Sequence, residues 1–400
     1  MPQSARISTS HEFSLDLFEK MKSISPAVGG LELYEFQYCL ENVIPRSGWQ
    51  SVELESKSAI EQRINDLAFY KSIEVSPQED GQIVLDPRVA AMTQMLCAGL
   101  VSGEYPVDWV RRHFYFDVRG FLFLHRTEYF NDRVLQHLGA KPLVRFEQKQ
   151  EHFARWQTVG YKEFKAANAE VDAYFIRAVE KLIAVKKVPI VLAVAGPTAA
   201  GKTEIVERLK VALLGTGLRS TSIELDNFFT DRAIREKNGI HSESKAALHL
   251  SRLVEALQGI TRGSKISIPR YDFVTATSSH DLQGNLKPGA EQVEVEPADI
   301  IFIEGNFPFL IDEIASLINL KVVYLTEDSV RLKRKWKRDM DYHKKYDLNY
   351  LRNRYFKDQF IMAQVAYIPQ MEICDLLVDT TGAAVWAAPE IANLLAKDLR

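Results

Sequence analysis

Eight consecutive residues, Gly196-Pro197-Thr198-Ala199-Ala200-Gly201-Lys202-Thr203, follow the pattern G-x-x-x-x-G-K-[ST]. Holding a phosphate chain explains each fixed position. Glycine at 201 lets the backbone come close to the anion, and the N–H groups of the loop point into it. A helix expected from about Lys202 adds the positive end of its dipole. The Lys202 ammonium reaches the β and γ oxygens, while the Thr203 hydroxyl suits Mg²⁺. An apolar run before the loop and helical spacing after it supply the strand–loop–helix setting the pattern needs. The ligands implied are ATP and Mg²⁺.

Two acids end apolar runs elsewhere. In "SIELDNFFTDR" (Ser222–Arg232) a second strand delivers Asp226, and in "ADIIFIEGNFPF" (Ala298–Phe309) a third delivers Glu304. The carboxyl ends of parallel strands line the ligand crevice, so both acids are expected beside the phosphate loop. Asp226 there accepts the proton of an attacking hydroxyl or helps to hold the metal; otherwise it caps a turn. Glu304 there grips magnesium, often through water; otherwise it is a solvated strand terminus. "VRLKRKWKRD" (Val330–Asp339) places Arg331, Arg334, Lys335 and Arg338 at i, i+3, i+4 and i+7, one face of a helix. Alone, such a helix reads as a solvated surface or a nucleic-acid patch. After the fourth strand of a phosphate-binding domain it reads as a lid, with Arg334 stabilising the transferring phosphoryl and Arg331 and Arg338 on ATP.

The elements that must position these groups change character along the chain. Residues 1–160 read as a mainly helical domain with a few short strand-like pieces. "DPRVAAMTQMLCAGL" (Asp86–Leu100) is an apolar helix candidate started by Asp86 and Pro87. "VRRHFYFDVRGFLFLHRTEYF" (Val110–Phe130) is aromatic-rich, its arginines read as solvated beside a packed core. Residues 161–187 read as a connecting helix, with apolar positions from Phe164 to Leu182, stopped by Pro189. From 188 to 400, β-branched runs at Ile190–Ala195, Thr221–Leu225, Ile300–Ile303, Val322–Leu325 and Leu376–Val378 alternate with helical segments. Continuous apolar strands between helices predict a parallel sheet covered on both faces. Between residues 264 and 296, "SKISIPRYDF" and "EQVEVE" alternate around a turn-rich stretch. They predict a β-hairpin over the acceptor pocket carrying Arg270, Tyr271 and Phe273. Arg270 meets a substrate anion or stays on the surface; Tyr271 and Phe273 meet substrate or pack the hairpin base.

The 400 residues are 46% hydrophobic and 26% charged, with a net charge of −3. These are the proportions of an ordinary globular protein of two or three domains, with no global field to draw nucleic acid or anionic lipid. No apolar stretch approaches a membrane span, and "MPQSARISTSHEF" lacks the apolar core of a signal peptide. Cys39, Cys97 and Cys374 are scattered in apolar contexts and read as free thiols in a reducing, cytoplasmic setting. The expected partner is a small-molecule acceptor, without nucleic acid or membrane, and a homo-oligomer stays open.

Taken in order, "GPTAAGKT", "ELDNFF", "IPRYDF", "IFIEG", "RLKRKWKRD" and "FIMAQVAYIP" resemble the uridine kinase and phosphoribulokinase family of P-loop kinases, over roughly residues 188 to 385. The resemblance implies a five-stranded parallel sheet between helices and an ATP-dependent transfer to an acceptor hydroxyl. It implies Asp226 as general base, Phe228, Tyr271 and Phe273 on the acceptor side, and Arg331, Arg334 and Arg338 in the lid. The chain also departs from the family. Pyrimidine nucleoside kinases follow Y-D-F with two residues, a His, one residue and an Arg; "YDFVTATSSH" has Ala276 and Thr277 instead, with His280 four residues late. The acidic segment that holds the ribose is replaced by "NGIHSESKAALHL", where His241 or Glu243 could substitute. A changed pocket implies a changed acceptor. The expected activity is phosphorylation of a nucleoside-like or sugar-like compound. The alternatives are a kinase for a sugar phosphate or hydroxy acid, and a nucleotide-sensing regulatory protein without turnover.

Overall fold

The computed structural model describes residues 10–25, 28–73, 84–117, 122–146, 168–343 and 347–396. They fall into two units. One holds the described residues of 1–128 and 345–361; the other holds those of 129–148, 164–344 and 362–400.

The first unit contains the helices Ser10–Ile24, Leu33–Leu40, Lys57–Ile64, Leu67–Ser72, Pro87–Ser102 and Val107–His113, and the hairpin Phe114–Asp117/Leu122–His125. Pro87–Ser102 starts as its sequence dictates. The Asp86 carboxylate accepts the Arg88 N–H at 2.9 Å, Pro87 takes the position that needs no donor, and left-handed Gly103 ends the helix. The Leu348–Met362 helix lies in this unit up to Ile361. Asn353 accepts the Asp86 N–H at 2.9 Å and donates to the Val84 carbonyl at 2.9 Å, and Phe360 stacks on Tyr70 at 4.2 Å. A segment read from the sequence as part of a continuous 188–400 domain is thus packed with residues far upstream.

The second unit is built on one sheet. Its strand order is Val144–Arg145, Ala384–Ala387, Leu376–Asp379, Leu320–Leu325, Ile190–Ala195, Ile300–Gly305, Ser220–Glu224. The last five are mutually parallel; Ala384–Ala387 and Val144–Arg145 extend the sheet antiparallel. The parallel strands coincide with the apolar runs read from the sequence, and the two added strands do not. Both are short, and Val144–Arg145, the edge strand, comes from before residue 160, which moves the boundary of this unit upstream. Ile190–Ala195 is buried at all six positions, as expected of a central strand covered on both faces. Its alternate side chains feed two cores: Val191, Ala193 and Ala195 pack with Ile223, Ile301, Ile303 and Val323, while Ile190, Leu192 and Val194 pack with Phe302, Val322 and Leu376. Each fully buried large side chain contributes about 1.5–3 kcal/mol, so both faces hold this strand in place.

The Ala169–Ala184 helix is a layer of this unit rather than a link. Val171, Phe175, Ala178 and Leu182 join the second of those cores, and buried Asp172 accepts the Tyr324 hydroxyl at 2.7 Å and pairs with Arg208. Residues 161–167 of the expected connecting helix lie outside the described residues. The expected hairpin is present as Ile266–Ile268 paired with Val293–Val295, with a smaller one, Tyr271–Asp272 with Thr277–Ser278, inside it. Among the described residues no helix is long and apolar enough to cross a membrane.

Candidate active site at the strand ends

Residues 196–201 connect the central strand to the Lys202–Leu214 helix. Gly196 has φ 148°, and a Cβ there would lie 2.2 Å from the Tyr324 carbonyl oxygen of the adjacent strand. No other residue lets the chain turn so close to its neighbour. Gly201 takes φ 105° and starts the helix, while the Thr326 hydroxyl donates to the Ala200 carbonyl at 2.9 Å and clamps the loop. The Lys202 ammonium donates to the carbonyls of Gly196 (2.9 Å) and Pro197 (3.0 Å) and to Asn306 Oδ1 (3.3 Å). Burial lowers its proton affinity, and Asp226 and Glu304 oppose that shift.

Sheet register brings the acids to the same place. Glu304 is level with Val194 on one side and Glu224 on the other, two residues before the loop begins. Asp226 lies in the short turn Leu225–Phe228 just beyond the edge strand. Gly305 makes room for that turn: a Cβ would meet the Leu225 side chain at 2.6 Å. Burial raises the Asp226 carboxyl, while Lys202 and Arg338 pull it back. Glu304 is also raised, first by burial, with Lys202 opposing and Glu224 adding to the shift. Lys202, Asp226 and Glu304 therefore act on one another in one group, with Glu304 buried and the other two partly so.

The Thr203 hydroxyl lies near enough to Glu304 to oppose the rise in its proton affinity, and Glu304 Oε2 is buried with no hydrogen-bond partner. A buried carboxylate oxygen in that condition is costly unless a cation or donor meets it. Among the described residues no cluster of three His, Cys, Asp or Glu could form an all-protein metal cage. Thr203 and Glu304 instead fit Mg²⁺, which takes one or two protein oxygens together with substrate phosphates.

The basic helix, Asp328–Asp341, divides its cations among different tasks. Arg338 donates to the Thr198 hydroxyl at 2.9 Å, and Arg334 reaches the Ala199 carbonyl at 3.5 Å. Burial lowers Arg334 to about 10, leaving it charged at neutral pH. Arg331, expected on ATP, is engaged by a buried acid, although its charge still acts on Lys202. It is 1% exposed, bonded to Asp328 at 2.7 and 2.8 Å and stacked over Tyr367; Asp328 also accepts the Tyr129 hydroxyl at 2.7 Å. Lys335 pairs with Asp339 at 2.8 Å. One helical face in the sequence becomes a structural anchor in the first turn and a loop contact further along.

The residues expected to meet an acceptor depart further from expectation. Phe228 is fully buried in the core below the turn and offers no surface to a ligand. Tyr271 is 6% exposed and packs on Phe229 and Phe273, the base-packing alternative. Phe273 stacks on His343 at 5.2 Å, just past the basic helix. Arg270 is exposed and paired with Glu291 at 2.6 Å. His241 is 3.9 Å from Glu243 and largely exposed. The sequence reading missed Arg235, a buried arginine in the Arg232–Lys237 helix stacked over Phe229 and Tyr271. "DRAIREKNG" carries no spacing that would have marked it.

Residues 191–384 match the Phosphoribulokinase / Uridine kinase family model. Uridine kinase-like protein 4 of Arabidopsis thaliana is 29% identical over 158 residues, 39% of this chain and 31% of its own length. The uridine kinase of Leuconostoc citreum is 24% identical over 156 residues, 38% of this chain and 70% of its own. The chain thus spans under a third of the plant relative it matches. Among solved structures, D-glycerate 3-kinase from Cryptococcus neoformans aligns at 14% identity over 54% of this chain and 98% of its own, with a TM-score of 0.38.

Proposed function

We propose that the chain is an ATP-dependent kinase that moves the γ-phosphoryl group to a hydroxyl of a small soluble acceptor. The observation that carries this reading is the meeting of Lys202, Asp226 and Glu304 in one partly buried, mutually interacting group at the strand ends. Loop N–H groups and Lys202 hold the β and γ phosphates, and Thr203 with Glu304 holds Mg²⁺. The ion, when bound, draws charge from the phosphate oxygens. Asp226 takes the acceptor's hydroxyl proton as the new O–P bond forms and the bond to the β-γ bridging oxygen breaks. Its raised proton affinity suits it to that task. Arg334 and Arg338, on the loop side, stabilise negative charge on the moving group. No covalent enzyme intermediate is needed, so catalysis is positioning and electrostatics. Cys97 and Cys374, free and buried, support a reducing cytoplasmic compartment.

Asp226→Asn tests the reading. Turnover should fall roughly 10²- to 10⁴-fold while Mg²⁺–ATP affinity stays nearly unchanged. Full ADP release by that variant would remove Asp226 from the mechanism. Nucleotide binding with no ADP release across nucleosides, polyols and hydroxy acids would favour a sensor over an enzyme.

A further inference from the structure

Arg235 is a buried cation with no counter-ion among the described residues. It is 6% exposed, its guanidinium lies 4.9 Å from the Phe229 ring and 5.7 Å from that of Tyr271, and it donates to the Thr230 carbonyl. A further contact to the Tyr271 hydroxyl is long, at 3.4 Å. Among the described residues no carboxylate pairs with it. Asp231, four positions back, is taken by Lys287 Nζ, 2.9 Å from both its oxygens, and by the Ser278 N–H at 2.7 Å. Arg331 and Arg208 show the contrast, since each is paired with a buried aspartate. A guanidinium is costly to take out of water without a partner of opposite charge. Two aromatic faces and a carbonyl offset part of the desolvation cost, and a bidentate anion would offset far more.

Its position ties that anion to the reaction centre. Thr230 follows Asp226 by four residues, so their Cα atoms are at most about 14 Å apart. The intervening turn shortens that span, with the Phe229 N–H bonded to the Asp226 carbonyl at 3.3 Å. The Tyr271 N–H donates to Asn227 Oδ1 at 3.3 Å, fixing the inner hairpin against the same turn. Arg235 and Asp226 are thus carried on one short turn-and-helix segment braced by the inner hairpin.

We propose that Arg235 binds a carboxylate or phosphate of the acceptor, so that the substrate is a small anionic alcohol and not a neutral nucleoside. This rests on the kinase reading and adds the acceptor's charge. The loss of the nucleoside-kinase pattern after Tyr271 fits the same direction.

The test uses the full chain and matched probes: glycerate against glycerol, ribose 5-phosphate against ribose, and uridine. In thermal-shift titrations without nucleotide, an anionic probe should stabilise the wild type while its neutral partner does not. Arg235→Gln should remove that stabilisation, and Arg235→Lys, which keeps charge but not the fork, should restore part of it. In ADP-release assays, Arg235→Gln should raise the KM of the anionic acceptor about 30-fold or more with Mg²⁺–ATP affinity unchanged. Should Arg235→Gln fail to fold, the wild-type pairs decide. Stabilisation by no anionic probe overturns the proposal, as does turnover of a neutral acceptor with the same KM in wild type and variant. Anion stabilisation that depends on Arg235 upholds the anion site even where ADP release is absent, and then only the kinase reading fails.

Discussion

At the phosphate loop, Gly196 sits where a single added carbon would strike the Tyr324 carbonyl, and Lys202 follows the loop's last glycine directly. Across Asp226, on the acceptor side, Phe228 is core, Tyr271 packs the hairpin base and Arg270 faces solvent. The two sides meet at one row of strand ends but are specified differently. Phosphate binding uses backbone N–H groups, so it constrains consecutive residues and leaves a local pattern. Acceptor recognition uses side chains brought together by tertiary packing, and an aromatic in a pocket has the same sequence signature as one in a core.

The largest effect expected from this contrast is at Lys202. Lys202→Ala should lower kcat about 10³-fold, since a cation aimed at the transferring phosphate is lost from a partly buried site. Near-normal turnover would mean that the loop holds something other than the reacting phosphates.

Within the basic helix the same contrast recurs at a smaller scale. Arg331→Met breaks a buried pair by taking the guanidinium from Asp328, which should cost about 3–5 kcal/mol of stability in denaturant titrations. Activity per folded molecule should survive. Arg334→Gln should do the reverse, lowering kcat roughly 10²-fold with a smaller loss of stability. Equal kinetic defects in both would return Arg331 to the lid.

How far the sequence reaches follows from these cases. The five parallel strands were legible because each is a continuous apolar run, and Asp226 and Glu304 because strand ends converge in such sheets. Val144–Arg145 was not legible: two residues carry no periodicity, and only their pairing with Ala384 and Val385 makes them a strand. Leu348–Met362 reads as an ordinary helix, and nothing local says that its partners are Val84, Asp86 and Tyr70. The i, i+3, i+7 spacing put Arg331, Arg334 and Arg338 on one face, but the buried acid at Asp328 decides which arginine is withdrawn.

Hydrogen-ion linkage gives a weaker handle on the acceptor side. His249 is buried against Ser278 at 3.0 Å, with the His280 ring 6.1 Å away and Asp231, Lys287 and Asp281 nearby. Burial, reinforced by His280, lowers it to about 4. The unfolded chain, near the usual 6.5, therefore takes the proton first as pH falls. Stability from this group is complete above about pH 6.5 and is lost between about 6.5 and 4, by at most about 1.4 kcal/mol per pH unit. Buried carboxyls such as Glu304 and Asp172 titrate in the opposite sense, so the measurement is the difference between wild type and His249→Gln. Parallel stability–pH curves for the two would place His249 outside the folded hairpin root.

The smallest effect separates the two arginines of the acceptor side. Arg270 was the sequence's candidate for a substrate anion, yet its partner Glu291 is at hand and both side chains are mostly exposed, at 61% and 77%. An exposed pair of this kind contributes about 0–1 kcal/mol, because water already solvates each charge and ordering two long side chains costs entropy. Arg270→Ala should leave stability within about 0.5 kcal/mol of wild type and every acceptor KM unchanged. Paired with Arg235→Gln in the same assay, it isolates burial as the variable: two arginines flank the same hairpin, and only the one withdrawn from water has charge left for a ligand to neutralise. A raised KM for Arg270→Ala, with Arg235→Gln silent, would invert that assignment and restore the link between the hairpin's outer and inner strands as the reader of the acceptor.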